Sequence, residues 1–240
     1  MTAQQIAAHQ VSWKRLAAWT VHAYTAAGLV AAFAGALAVF DGRYRTAFFM
    51  MIAATVVDGT DGFLARAADV KRLTPGLDGA RLDDIVDYVT FVFLPMLVVY
   101  CSGLVAGVPG FLTVGIVLLS SAYGFAFSDA KTGDHFFTGF PSYWNIVALY
   151  LYAARLPRAF NMGLLIVLSV LVFVRIGYVY PTRTPVLRGP TLALGLVWAV
   201  MVTAMVVQLP SVSRGLLIAS LFFPVYYTVL SVALHARRSR

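Results

Sequence analysis

Asp58-Gly59-Thr60-Asp61 and, further on, Gly79-Ala80-Arg81-Leu82-Asp83-Asp84-Ile85-Val86-Asp87 put four carboxylates at helical spacing in a chain that is otherwise almost uniformly apolar. Asp58 and Asp61 are three residues apart, and Asp83 and Asp87 are four apart, so each pair shares a helix face. Two neighbouring helices can aim all four into one space. Four such charges repel strongly at low dielectric, and carboxylates persist in an apolar setting when they bind something. Ligation by oxygen alone favours hard cations such as Mg²⁺ or Mn²⁺. Four aspartates can hold two ions, an arrangement suited to phosphoryl transfer by in-line displacement.

The surroundings fit that chemistry. Gly62 and Ala65 follow on the face of Asp58, and Gly79 precedes Asp83 by one turn, leaving space for a bulky ligand to approach the backbone. Arg66 can pair with a phosphate. Small residues on membrane helices also serve plain helix packing, and aspartates at a helix start also act as caps. Neither role requires four facing carboxylates.

The elements that must position these residues are membrane spans. Of 240 residues 60% are hydrophobic and 12% charged, with a mean hydropathy of +0.82. A soluble domain has about 25% charged residues. Apolar runs at 16–40, 46–66, 83–102, 110–128, 160–180, 191–209 and 214–235, with a shorter one at 141–154, predict an all-α polytopic bundle of about eight transmembrane helices. Pro75-Gly76, Pro109-Gly110, Gly189-Pro190 and Pro210 mark connections, and nothing divides residues 1–240 into more than one domain. The formal charge of +8 does not predict nucleic-acid binding, because the basic residues sit at the ends of apolar runs. With eight spans, Lys14, Arg15, Arg66, Lys71, Arg72, Arg81 and most other basic residues share a side with the aspartates. Arg43, Arg45, Arg155, Arg158 and Arg214 fall opposite. The aspartates are therefore expected at the cytoplasmic face. The lone Cys101 excludes an internal disulfide, and no cleavable signal is expected.

The acidic stretch resembles the signature of the CDP-alcohol phosphotransferase family, D-x2-D-G-x2-A-R, a spacer, then G-x3-D-x3-D. Asp58, Asp61, Gly62, Ala65, Arg66, Gly79, Asp83 and Asp87 meet every fixed position. Twelve residues separate Arg66 from Gly79, where about eight is usual for the family. The longer spacer is similar to that of the bacterial phosphatidylcholine synthase branch. So are Val21-His22-Ala23-Tyr24-Thr25, Val86-Asp87-Tyr88-Val89-Thr90 and His135-Phe136-Phe137-Thr138-Gly139-Phe140-Pro141-Ser142-Tyr143-Trp144-Asn145.

The resemblance implies a multi-pass enzyme of the bacterial inner membrane, its site open to the cytoplasm, in a family whose members are often homodimers. It implies CDP-diacylglycerol bound near Gly62, Ala65, Arg66 and Gly79, with Asp58, Asp61 and Asp83 on one or two Mn²⁺ or Mg²⁺ ions. Asp87 would be general base and also a metal contact, with choline as acceptor and CMP as leaving group. Serine, glycerol 3-phosphate and inositol phosphate are alternative acceptors. Ion transport is the reading from a different class, although transport sites favour the bilayer midplane.

Choline is a permanent cation, which proteins hold against aromatic faces. Tyr24, Tyr88, Tyr143 and Trp144 are the candidates, weighed against ordinary packing and interfacial belts. Asp129, Asp134 and Lys131 lie in the same connection as the last two. His22 is expected as a hydrogen-bonded packing residue. Asp69 and Asp78 are expected to pair with Lys71, Arg72 or Arg81, and Asp84 to point away from Asp83.

Overall fold

The computed structural model describes residues 3–127, 136–181 and 184–238. The chain is overwhelmingly helical, as the apolar runs require. The first long helix, α1 (Ala3–Phe40), turns through Asp41-Gly42-Arg43 into α2 (Tyr44–Ala67). A one-turn helix, α3 (Val70–Leu73), leads to α4 (Gly79–Asp87). The helix then continues through a π-helical stretch, Tyr88–Phe93, into α5 (Leu94–Cys101). Next come α6 (Gly107–Ala126), a strand β1 (Phe136–Thr138), α7 (Trp144–Ala154), α8 (Arg158–Phe173) and a strand β2 (Gly177–Val179). The remaining helices are α9 (Arg188–Gln208), α10 (Arg214–Ser220) and α11 (Phe222–Arg238).

Among the described residues six segments are long and apolar enough to cross a bilayer: Trp13–Phe40, Tyr44–Ala67, Gly79–Cys101, Gly107–Ala126, Arg188–Gln208 and Arg214–Arg237. The other two expected spans are shorter. With 11 and 16 residues, α7 and α8 run about 17 and 24 Å at the α-helical rise, against a hydrocarbon core of about 30 Å. The run 160–180 was expected as one helix and is divided. Its helix stops at Phe173, and Gly177–Val179 pairs antiparallel with Phe136–Thr138, Phe137 facing Tyr178 in the register. This two-stranded ribbon is the departure from an all-α reading.

The main core runs through the middle of the bundle, joining Phe48 and Met51 of α2, Val92 of the π stretch, Leu94 and Val98 of α5, Leu149 of α7, Leu165 of α8 and Met205 of α9. A second cluster gathers Phe136, Tyr178, Val179, Phe223, Tyr227 and Leu234, where the ribbon packs on α11. Gly139, with φ +79°, lets the chain pass from β1 over the end of α8: its N–H donates to the Ile176 carbonyl at 2.9 Å, and a Cβ there would collide with the Val172 carbonyl.

The face that bears the aspartates is built by α1 lying along α2 and across α4. Glycine makes that approach possible. A Cβ on Gly28 would stand 2.7 Å from the Val86 Cγ1, and one on Gly35 would stand 2.8 Å from the Leu94 Cδ2. Two glycines one heptad apart on α1 thus seat the α4–α5 helix against it.

Candidate active site

The connection from α2 to α4 aims the carboxylates. Asp69 takes a left-handed conformation, φ 49°, and its carboxylate accepts from Arg72 at 2.5 Å. His22 of α1 is buried and reaches Thr74 at 2.9 Å, while the Thr74 hydroxyl donates to the Val70 carbonyl. The same imidazole fills the space beside Gly79, where a Cβ would meet its Cε1 at 3.1 Å. Asp78 then caps α4, accepting from the backbone N–H groups of Ala80 and Arg81 at 3.1 and 3.2 Å, and pairs with the Arg81 side chain. This cap sets where α4 starts, and so which turns carry Asp83 and Asp87. The expected packing role of His22 and the local pairs of Asp69 and Asp78 are all present. Gly79 is small because His22 lies on it, a reason the spacing alone does not give.

Asp58, Asp83 and Asp87 converge. Each offers a carboxylate oxygen, and the three oxygens lie within 4.8 Å of one another. All three side chains are half-buried. Asp61 stands outside this trio. It is 6% exposed, and its Oδ2 accepts from the Thr25 hydroxyl of α1 at 2.8 Å. Three hard oxygen donors at that separation fit a divalent cation, with Asp61 one turn along the same helix. Gly62 is open except for Arg66, whose Nη1 would lie 3.4 Å from an added Cβ. Arg66 is exposed, and among the described residues it has no ion-pair partner. Its guanidinium therefore folds back over Gly62, available to an anion. Ala65 is half-buried on the same helix.

Thr25 was quoted in the sequence only as part of the first-helix segment, yet it holds a buried carboxylate of the site. Partners of this kind fix ligand orientation, and losing one lowers metal affinity about 10- to 100-fold. Thr25→Val is expected to weaken Mn²⁺ binding about tenfold, with Thr25→Ser near wild type. Titration of free Mn²⁺ by electron paramagnetic resonance on purified protein checks this without reference to turnover.

The four aromatic candidates separate. The Tyr24 hydroxyl meets the Thr60 Oγ1 at 2.8 Å, between the two aspartates of α2. The Tyr88 hydroxyl donates to the Leu118 carbonyl of α6 at 2.9 Å, and its ring sits edge-on to Phe125. Trp144 is 0% exposed, donates to the Ser121 hydroxyl at 2.8 Å and packs edge-on to Phe140. It is a core residue, not part of an interfacial belt, and this packing speaks against a ring face open to ligand. Tyr143, immediately before α7, is half-buried and meets Tyr227 edge-on, centroids 5.9 Å apart. Asp129, Lys131 and Asp134 lie outside the described residues.

A bundle of long apolar helices that brings three carboxylates together where two of its helices meet defines a polytopic membrane protein with a clustered carboxylate site. No family model matches the chain. It is 35% identical over 194 residues to the phosphatidylcholine synthase of Pseudomonas aeruginosa, covering 81% of this chain and 82% of that one. It is 36% identical over 193 residues to the phosphatidylcholine synthase of Rhizobium meliloti, 80% of each. A third relative, from Legionella bozemanae, is 41% identical over 146 residues, 60% of this chain and 67% of that one. The chain belongs to the phosphatidylcholine synthase family.

Proposed function

We propose that the protein transfers the phosphatidyl group of CDP-diacylglycerol to choline, releasing CMP, from a site facing the cytoplasm in a bacterial inner membrane. The observation that carries this reading is the convergence of Asp58, Asp83 and Asp87 in a chain of this family. The accumulation of basic residues on the side of the aspartates supports the orientation.

Asp58, Asp83 and Asp87, with Asp61 held by Thr25 beside them, would bind Mn²⁺ or Mg²⁺, one ion or two. Bound there, the metal would neutralise the diphosphate and polarise its P–O bonds. The chain's own groups do the rest. Arg66 pairs with a phosphate oxygen, and the backbone at Gly62 admits the nucleotide. Asp87 accepts the proton of the choline hydroxyl as its oxygen attacks the phosphorus that bears diacylglycerol. The new O–P bond forms as the bond to the CMP oxygen breaks, and CMP leaves with those electrons.

The test is CMP release by the purified full chain in detergent, with CDP-diacylglycerol, Mn²⁺ and one acceptor at a time: choline, serine, inositol phosphate or glycerol 3-phosphate. Release with choline, abolished by EDTA and restored by Mn²⁺, is expected. Release with another acceptor alone overturns the choline assignment, and release with none overturns the reaction.

A further inference from the structure

The carboxylates account for the phosphoryl chemistry but not for the choice of acceptor. A trimethylammonium group bears a permanent charge and donates no strong hydrogen bond, so ring faces distinguish it better than polar groups do. Tyr88 and Trp144 are occupied by packing against α6, and Tyr24 is held by Thr60.

Tyr143 stands apart in three ways. First, Asn145, two residues further on, reaches the Thr55 hydroxyl of α2 at 3.4 Å, and Thr55 lies one turn before Asp58. The start of α7 is thereby fixed beside the acidic end of α2. Second, Tyr143 is backed by rings on other elements. It meets Tyr227 of α11 edge-on, centroids 5.9 Å apart, and Tyr178 of β2 stacks on Tyr227 at 6.3 Å. Third, that backing is anchored, because the Tyr227 hydroxyl donates to the Val179 carbonyl at 2.9 Å. The β1–β2 ribbon and the last helix thus hold one tyrosine where the start of α7 meets α2, one turn before Asp58.

Resting on the choline-transfer reading above, we infer that Tyr143 is the wall that receives the quaternary ammonium of the acceptor, and that Tyr227 is the residue that positions it. The ring supplies an electron-rich face for the cation. The acceptor hydroxyl is then free to turn toward Asp87.

The experiment reads choline KM and kcat separately in initial-rate CMP release. Tyr143→Leu is expected to raise choline KM about tenfold, within the range of a desolvated cation–ring contact, with the KM for CDP-diacylglycerol unchanged. Phenylalanine and then progressively fluorinated phenylalanines at position 143 keep the shape while draining the ring face, so choline KM should climb stepwise. Tyr227→Phe, which frees the ring from Val179, should raise choline KM about threefold at constant kcat, the signature of positioning. The neutral isostere 3,3-dimethylbutan-1-ol should be about tenfold poorer than choline for the wild type and equal to it for Tyr143→Leu. A choline KM that stays flat across the fluorinated series, in protein that turns over choline, overturns the wall alone. A wild-type protein that ignores choline takes both readings down.

Discussion

Asp87→Asn should lower choline-dependent kcat about 10³-fold, in the middle of the range for a positioned general base. Asparagine keeps the shape and the hydrogen-bonding reach of the side chain but cannot take up the acceptor's proton. Asp87 belongs to the carboxylate trio, so part of any loss could come from weaker metal binding. Asp83→Asn separates the two effects. It removes one charge from the same trio, and its deficit should shrink as Mn²⁺ is raised to saturation. The Asp87→Asn deficit should persist at saturating Mn²⁺. Initial rates of CMP release across a Mn²⁺ series measure both, and full recovery of Asp87→Asn by excess metal would remove Asp87 from the role of base.

Gly28→Ala is the second large effect, although the residue touches no substrate. The added methyl would stand 2.7 Å from the Val86 Cγ1, against a carbon–carbon contact distance of about 3.5–4.0 Å. Valine has no flexible end to swing away, so α4 must retreat by about 1 Å. Val86 is flanked by the turn that carries Asp83 and Asp87, and a misplacement of that size lowers kcat about 10²-fold. Overpacking also destabilises by about 1–3 kcal/mol, offset in part by alanine's helix propensity of about 1 kcal/mol. Adding Val86→Ala removes the collision and should return most of the rate. Gly163→Ala on α8, which meets nothing within 4 Å, is the control for thermal stability. If Gly28→Ala alone is as active as wild type, the close approach of α1 to α4 does not set the site.

Much of this was legible in the sequence, for reasons that differ by residue. The six long spans follow from hydropathy, which is a local property, and they lie where the apolar runs put them. The pairs Asp69–Arg72 and Asp78–Arg81 were likewise readable, since three residues bring two side chains together on one turn. Asp58, Asp83 and Asp87 were named by spacing and resemblance, and they converge. Spacing did not reveal that Asp61, on the same helix, spends one oxygen on Thr25, because that depends on how α1 lies against α2. Nor did it reveal the β1–β2 ribbon, which joins segments about 40 residues apart, the second of them inside a run that hydropathy reads as continuous. Trp144 was a choline candidate by residue type, with packing as the plain alternative. It is buried because Ser121, on another helix, supplies the acceptor its indole needs.

The π-helical stretch Tyr88–Phe93 begins at the residue after Asp87. In an unbroken α-helix from Gly79 to Cys101, the angle at which the carboxylates meet α2 would dictate the angle at which Leu94, Val98 and Val99 enter the core. The wider turn inserts the equivalent of one residue, a phase shift of about 100°. The two halves of the helix are thereby set like gears on one shaft with an offset between them. The lower half can match its packing to the membrane interior while the upper half keeps its bearing on the substrate, so changes in one need not be answered by changes in the other.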